Sequence, residues 1–186
     1  MKNWEKLGSE LVFDSRFIKI KKDIVKIENN KIIDWFYWDT NDSAMVIGML
    51  PNKKLVMIKQ YRYLARKEVI EFPSGSLHEN ESPKKGAIRE FEEETGYAIK
   101  SLAKLGSFFE TYGNLNRKIH IFFSNDLKKS VQKLDSGIDE FENIKVMPID
   151  YDKAIDLAIK NKILAMGSSL AILLLDKNIK NGKIKI

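Results

Sequence analysis

The sequence predicts an α/β protein: a strand-rich extension over residues 1–40, then one domain over residues 41–186 that mixes strands with helices. Three observations carry this expectation. Short runs rich in β-branched and aromatic residues recur between turn signals from residue 17 to residue 147. One helix is marked at both ends, by Ser82 before it and Gly96 after it. The chain closes on two helical segments between Asp150 and Asp176.

In chain order, Phe17–Lys21 and Ile24–Ile27 partly alternate, Glu28–Lys31 is a turn signal, and Ile32–Trp38 is aromatic and strand-prone. Ala44–Leu50 and Leu55–Lys59 read as a hairpin across Pro51-Asn52-Lys53-Lys54. Val69–Phe72 is a short strand, and Pro73-Ser74-Gly75 is a turn. Ser82 is placed to cap the next segment and Pro83 suits a first helical position. Ala87, Ile88 and Phe91 share one helical face, and Gly96 sits where a left-handed stop residue is wanted. Leu102–Phe109 and Lys118–Ser124 read as paired strands around the loop Glu110–Arg117. Ser124–Gly137 is polar and reads as loop; it leads to Asp139, Glu140 and Glu142, just before the strand Ile144–Met147. Ala154, Ile155, Leu157 and Ala158 make an amphipathic helix, Ile163–Leu175 a more buried one, and Lys177–Ile186 a frayed end or an edge strand.

Composition narrows the functional classes. At 186 residues with 44% hydrophobic residues, one domain with a real core is expected. The absence of cysteine excludes disulfides and thiolate metal sites, and fits a reducing compartment. The N-terminus carries no apolar signal region, and the most apolar window, Ile163–Leu175, is too short to span a bilayer. A cytoplasmic protein with no membrane partner is expected. The net charge of +6 comes from lysines spread along the chain, which predicts a solvated basic surface able to attract an anionic substrate rather than a nucleic-acid groove.

The chemistry is concentrated in Gly75–Tyr97, GSLHENESPKKGAIREFEEETGY. Glu90, Glu92, Glu93 and Glu94 occupy four of five consecutive positions. On a helix such neighbours repel by a few tenths of a kcal/mol per pair, roughly, so the arrangement asks for a compensating cation. Glu90 and Glu94 are one turn apart and Glu93 is three residues from Glu90, which sets a carboxylate edge along one helix side. Oxygen ligands of this kind suit Mg²⁺, which keeps waters or takes substrate phosphates. Glycine at position 75 permits close backbone approach to a metal or phosphate, and Arg62 could hold a phosphate in a forked contact.

The spacing Gly75, Glu81, Arg89-Glu90-Phe91, Glu93-Glu94, Gly96-Tyr97 resembles the Nudix box at every specified position. Beyond the box, residues 4–40, Lys59–Tyr63, Glu71–Gly75, Lys118–Phe123 and the closing helices are similar to the ADP-ribose pyrophosphatase branch, so the resemblance covers nearly the whole chain. It implies a Nudix α/β/α sandwich with a mixed sheet, and metal-dependent hydrolysis of ADP-ribose or a related nucleoside diphosphate sugar. Mg²⁺ is the implied cofactor, with Mn²⁺ as a substitute. The implied assembly is a homodimer built through the N-terminal strands.

The resemblance also assigns roles. Glu90 and Glu94 are implied as metal ligands, with Glu93 a further one and the Ser74 carbonyl a backbone ligand. Arg89 is implied to pair with a box carboxylate, and Glu81 to orient the loop and helix. Arg62, Glu71 and Gly75 would line the substrate, and Phe17 and Trp35 would stack on its base. Glu142, then Glu140, is the candidate general base, with a box glutamate as the alternative. One departure stands out. Relatives of this branch carry a proline in the loop after the box, whereas no proline lies between Pro83 and Pro148 here. That keeps other substrates open, including GDP-mannose-type sugar nucleotides and, from another branch, nucleoside triphosphates or dinucleotides.

Overall fold

The computed structural model describes residues 4–133 and 143–186. The described residues form two compact units, residues 4–42 with 109–118, and residues 43–108 with 119–133 and 143–186.

The first unit is an antiparallel three-stranded sheet of β1 (Glu5–Asp14), β2 (Lys19–Lys26) and β3 (Ile32–Trp38), in that order. The predicted turn at residues 28–31 holds a short 3₁₀ turn, Glu28–Asn30, in which Asn29 and Asn30 take positive φ, a region that asparagine tolerates. β1 was not singled out as a strand from sequence, because its apolar residues Leu7, Leu11, Val12 and Phe13 do not alternate; all four are exposed. Residues 109–118, which include the predicted loop Glu110–Arg117, fold with this unit. The Trp38 amide donates to the Asn114 carbonyl (2.9 Å), the Asn116 side-chain amide donates to Asp39 (2.6 Å), and the Arg117 guanidinium lies over the Trp38 ring.

The second unit is built on a seven-stranded mixed sheet. Its strands are β4 (Ser43–Met49), β5 (Lys54–Arg62), β6 (Lys67–Glu71), β7 (Ser74–Ser76), β9 (Ala103–Phe109), β10 (Lys118–Ser124) and β12 (Lys145–Asp150). The main order is β12-β5-β4-β10-β9, with β6 on β5 and β7 on β4. β4 and β10 run parallel, and β4 with β5 forms the expected hairpin. Pro148 is tolerated because β12 is an edge strand. The segment Pro73–Gly75, read as a turn, is a correction: Ser74–Ser76 pairs with Ser43–Met45 as β7. Three residues are too few to display a period of two.

All seven β4 residues are buried, as expected for a strand covered on both faces. Met45, Ile47 and Met49 enter one core with Ala154, Ala158, Ala171, Ile172 and Leu175, from α2 (Tyr151–Ile159) and α3 (Met166–Lys180). Ala44 and Val46 enter a second core with Ala87 and Phe91, from α1 (Pro83–Thr95). Helices therefore cover both faces of the sheet, the three-layer arrangement anticipated. α1 starts on the Ser82 cap, whose hydroxyl accepts from the Lys85 amide. It ends at Gly96 (φ 68°), a left-handed position that suits glycine.

Two further readings are corrected. Leu127–Lys129, within the predicted polar loop, is strand β11, paired with β8 (Tyr97–Ile99). The tail 177–186 is not frayed from its start: α3 runs to Lys180, where Lys177 and Lys180 favour the negative helix end. Ser168 is wholly buried on α3, and its hydroxyl accepts from the Phe72 amide (2.9 Å). Ser168→Ala is expected to lower stability by about 1–3 kcal/mol, because it strands a buried N–H; urea denaturation measures this. Among the described residues no helix is long and apolar enough to cross a membrane.

Candidate active site

The site forms where α1 crosses β7. Arg89 is its hub. Its Nε and one terminal nitrogen grip Glu81 in a forked pair (3.0 and 2.8 Å), the geometry at which a guanidinium binds a carboxylate best. Its other terminal nitrogen reaches Glu90 (2.7 Å) and Glu93 (3.3 Å), and a further bond goes to the Ser76 carbonyl (3.2 Å). One cation thus serves three carboxylates, which offsets the repulsion expected from the crowded glutamates. Glu81 also accepts from the His78 amide (3.0 Å) and so ties the loop to the helix.

This pairing has a pH signature. The Arg89 guanidinium, against the cost of partial burial, holds the Glu81 carboxyl down at about 2 from an ordinary 4.5. A carboxyl lowered on folding stabilises the protein above its unfolded pKa, and that stability is lost as pH falls through the folded value. Melting temperature is therefore expected to drop between about pH 5 and pH 2, with a shallower drop in Glu81→Gln.

The box glutamates divide by direction. Glu94 is buried, and its carboxylate accepts from the Ser74 amide on β7 (3.1 Å). Glu90 lies over Gly75: a β-carbon at residue 75 would stand 2.1 Å from the Glu90 carboxyl carbon. Gly75 is thus the floor on which that carboxylate rests. Glu92 points away, and its carboxylate accepts from Ser130 (2.8 Å). The segment after β11 also supplies Lys133 N–H to the Glu93 carbonyl (3.0 Å) and the Gln132 amide to the Glu94 carbonyl (2.7 Å). Residue 133 therefore lies against the last turns of the box helix.

Two carboxylates and the adjoining backbone at Ser74–Gly75 form an all-oxygen donor set, which fits a hard divalent cation. Among the described residues no three histidine, cysteine, aspartate or glutamate side chains gather closely enough to hold an ion by themselves. A divalent cation held by one or two carboxylates completes its shell with water and phosphate oxygens.

The other predicted residues fall as follows. Glu71 is buried and accepts from Gln60 (2.9 Å) and from Arg62 (2.8 Å), so it anchors the arginine. Arg62 is 43% exposed at its side chain, paired to Glu71 and open to solvent. Phe17 and Trp35 belong to the first unit; Arg16 lies over the Phe17 ring, and Trp35 packs edge-on against Trp4 (5.5 Å). Glu140 and Glu142 lie outside the described residues. The sequence alone reads His78 and His120 as structural or surface residues. His120 is buried, and its Nδ1 meets the Ser107 hydroxyl at 2.7 Å. The two-residue period of β10 places His120 on the same face as Phe122.

The NUDIX domain profile matches residues 39–162. The chain belongs to the NUDIX domain family. As a NUDIX protein it is 28% identical to an ADP-ribose pyrophosphatase of Bacillus subtilis over 89% of each chain. It is 29% identical to a methanol dehydrogenase activator of Bacillus methanolicus, again over 89% of each. Its fold resembles the crystal structure of an ADP compounds hydrolase with a TM-score of 0.84, covering 98% of this chain and 97% of the other at 18% identity.

Proposed function

We propose that this NUDIX protein hydrolyses the diphosphate of ADP-ribose or a related nucleoside diphosphate sugar, using Mg²⁺, to a nucleoside monophosphate and a sugar phosphate. The observation that carries the reading is the pair of carboxylates, Glu90 over Gly75 and Glu94 on the Ser74 amide, set side by side against β7. The likeness to an ADP-ribose pyrophosphatase over most of both chains supports the substrate class.

Glu90 and Glu94 would hold the cation, with Glu93 and the Ser74 carbonyl as further donors. Bound divalent ions, Mg²⁺ or its substitute Mn²⁺, supply charge neutralisation of the diphosphate and acidify the attacking water. Arg89 keeps Glu90 oriented, and Arg62, steadied by Glu71, offers a cation to the substrate's phosphates. A water oxygen bonds to one phosphorus, the bridging P–O bond breaks, and the departing phosphate takes the electron pair. The water's proton passes to a carboxylate, for which Glu142 and then Glu140 are the candidates.

The first unit would serve base stacking, through Phe17 and Trp35, and homodimer formation. Its Leu11, Phe13, Phe17, Ile32 and Phe36 are exposed apolar side chains that such contacts would cover. A cytoplasmic location completes the reading. A panel of sugar nucleotides with Mg²⁺, its products resolved by chromatography, tests the activity. Nucleoside monophosphate and sugar phosphate are expected. Pyrophosphate released from a nucleoside triphosphate, with sugar nucleotides untouched, would move the enzyme to another NUDIX branch.

A further inference from the structure

A second cavity lies towards the other end of the sheet from Gly75. Residues that lead into β9, the end of β10 and the tail after α3 line it, all within the second unit. In the register of the sheet, Gly75 stands opposite Ala44, whereas Ser124 in the cavity lining stands opposite Gly48, further along β4. At roughly 3.3 Å per residue the two rows are about 13 Å apart. The cavity is therefore separate from the carboxylate pair.

The tail that forms one wall is held in place. Gly182 takes φ 70°, which turns the chain off α3. The Lys183 amide donates to the Asn178 carbonyl (2.9 Å), and the Ile184 amide shares that acceptor (3.3 Å). The Asn125 side-chain amide donates to the Lys185 carbonyl (3.2 Å). Ile184 packs against the core that β4 shares with α2 and α3. Lys183 and Lys185 thus start from a fixed backbone, and both line the cavity.

The donors gathered there are those of an anion site. Among the described residues neither lysine pairs with a carboxylate. Lys100 and Lys104 flank the lining segment 101–103 in sequence and add positive charge, against the carboxylate of Asp126 beside Asn125. Ser124 is 2% exposed; its oxygen accepts from the Asp126 amide (3.2 Å), and no described residue accepts its proton. Ser101 brings a second hydroxyl. Two ammonium groups and two hydroxyls suit the oxygens of a phosphate dianion. The remaining lining is different in kind. Leu102 and Phe123 make an apolar wall, and the Asn125 side-chain oxygen is left as an acceptor for a hydroxyl. At about 310 Å³ the cavity holds more than a phosphate group, and it reaches the lower end of the sizes at which small organic molecules bind.

We propose that this cavity binds a phosphate monoester of a sugar or nucleoside, with the phosphate between Lys183 and Lys185 and the organic body against Leu102 and Phe123. Both products of the proposed hydrolysis belong to this class, but the binding itself does not depend on that reading.

The test titrates the isotope-labelled full chain, in EDTA, with a ribose phosphate, with adenosine monophosphate and with inorganic phosphate, and follows the backbone amides by NMR. Saturable shifts at Asn125 and at Lys183–Lys185 are expected with at least one ester, and the two ester arms tell which body the cavity takes. Inorganic phosphate is expected to bind more weakly, because it has nothing to set against the apolar wall. Lys183→Gln combined with Lys185→Gln is expected to weaken ester binding by about tenfold or more, the scale of one charge-assisted hydrogen bond. Both lysines are exposed, and the amide spectrum itself verifies that the variant is folded. The absence of saturable shifts at these amides, shifts that survive the double substitution, or inorganic phosphate binding as tightly as both esters overturns the proposal. Shifts confined to Arg62 and Ser74 place the ester in the active site alone and overturn it too.

Discussion

Glu94→Gln is expected to lower Mg²⁺-dependent diphosphate hydrolysis by about a thousandfold, the equivalent of roughly 4 kcal/mol of transition-state stabilisation. The substitution removes a charge and little else. Glutamine has the same length, and its carbonyl oxygen can still accept from the Ser74 amide that holds Glu94 now. Glu94 is buried, in a helix segment crowded with like charges, so neutralising it relieves repulsion and a desolvation cost. Melting temperature should therefore stay level or rise slightly while turnover collapses. Steady-state kinetics with a sugar nucleotide, beside a melting curve, reads both. A folded variant with near wild-type turnover would remove Glu94 from the mechanism.

Gly75→Ala is expected to cost about a hundredfold in activity with only a small loss of stability. Its added methyl group would meet three atoms of the Glu90 carboxyl group at 2.1–2.3 Å. Something must yield, and what yields is the end of a flexible side chain rather than backbone. Glu90 can swing off its seat at little cost to the fold, but it then leaves the position it shares with Glu94. Gly75 lies in extended backbone of β7, with no positive φ recorded there, so alanine brings no strain of its own. An effect on turnover far larger than the effect on melting distinguishes this from ordinary overpacking, in which stability suffers first.

Legibility in the sequence followed how local each signal was. The box helix was readable to the residue, because its cap, its first proline and its left-handed glycine are all local chemistry. The β4–β5 hairpin and the strands on either side of residues 110–117 were readable for the same reason. β7 and β11 were not: each is three residues long and exists through pairing with a strand distant in sequence, β7 with β4 and β11 with β8. The folding of residues 109–118 with the N-terminal strands depends on bonds such as Asn116 to Asp39, which no window of sequence contains.

The site divides in the same way. Glu90, Glu93 and Glu94 were legible as a carboxylate edge because a helix period relates them. That Arg89 holds three carboxylates at once, and that Glu92 turns away to Ser130, required the fold. The Arg62–Glu71 pair crosses from β5 to β6, where Arg62 stands opposite Lys67 and its side chain reaches back to Glu71.

The most direct test of the central claim is crystallographic. Crystals soaked with Mn²⁺ and a non-hydrolysable nucleoside diphosphate sugar should show anomalous scattering peaks between the carboxylates of Glu90 and Glu94, beside the Ser74–Gly75 backbone, with the diphosphate completing the coordination. Peaks elsewhere in the molecule, with those two carboxylates left bare, would contradict it.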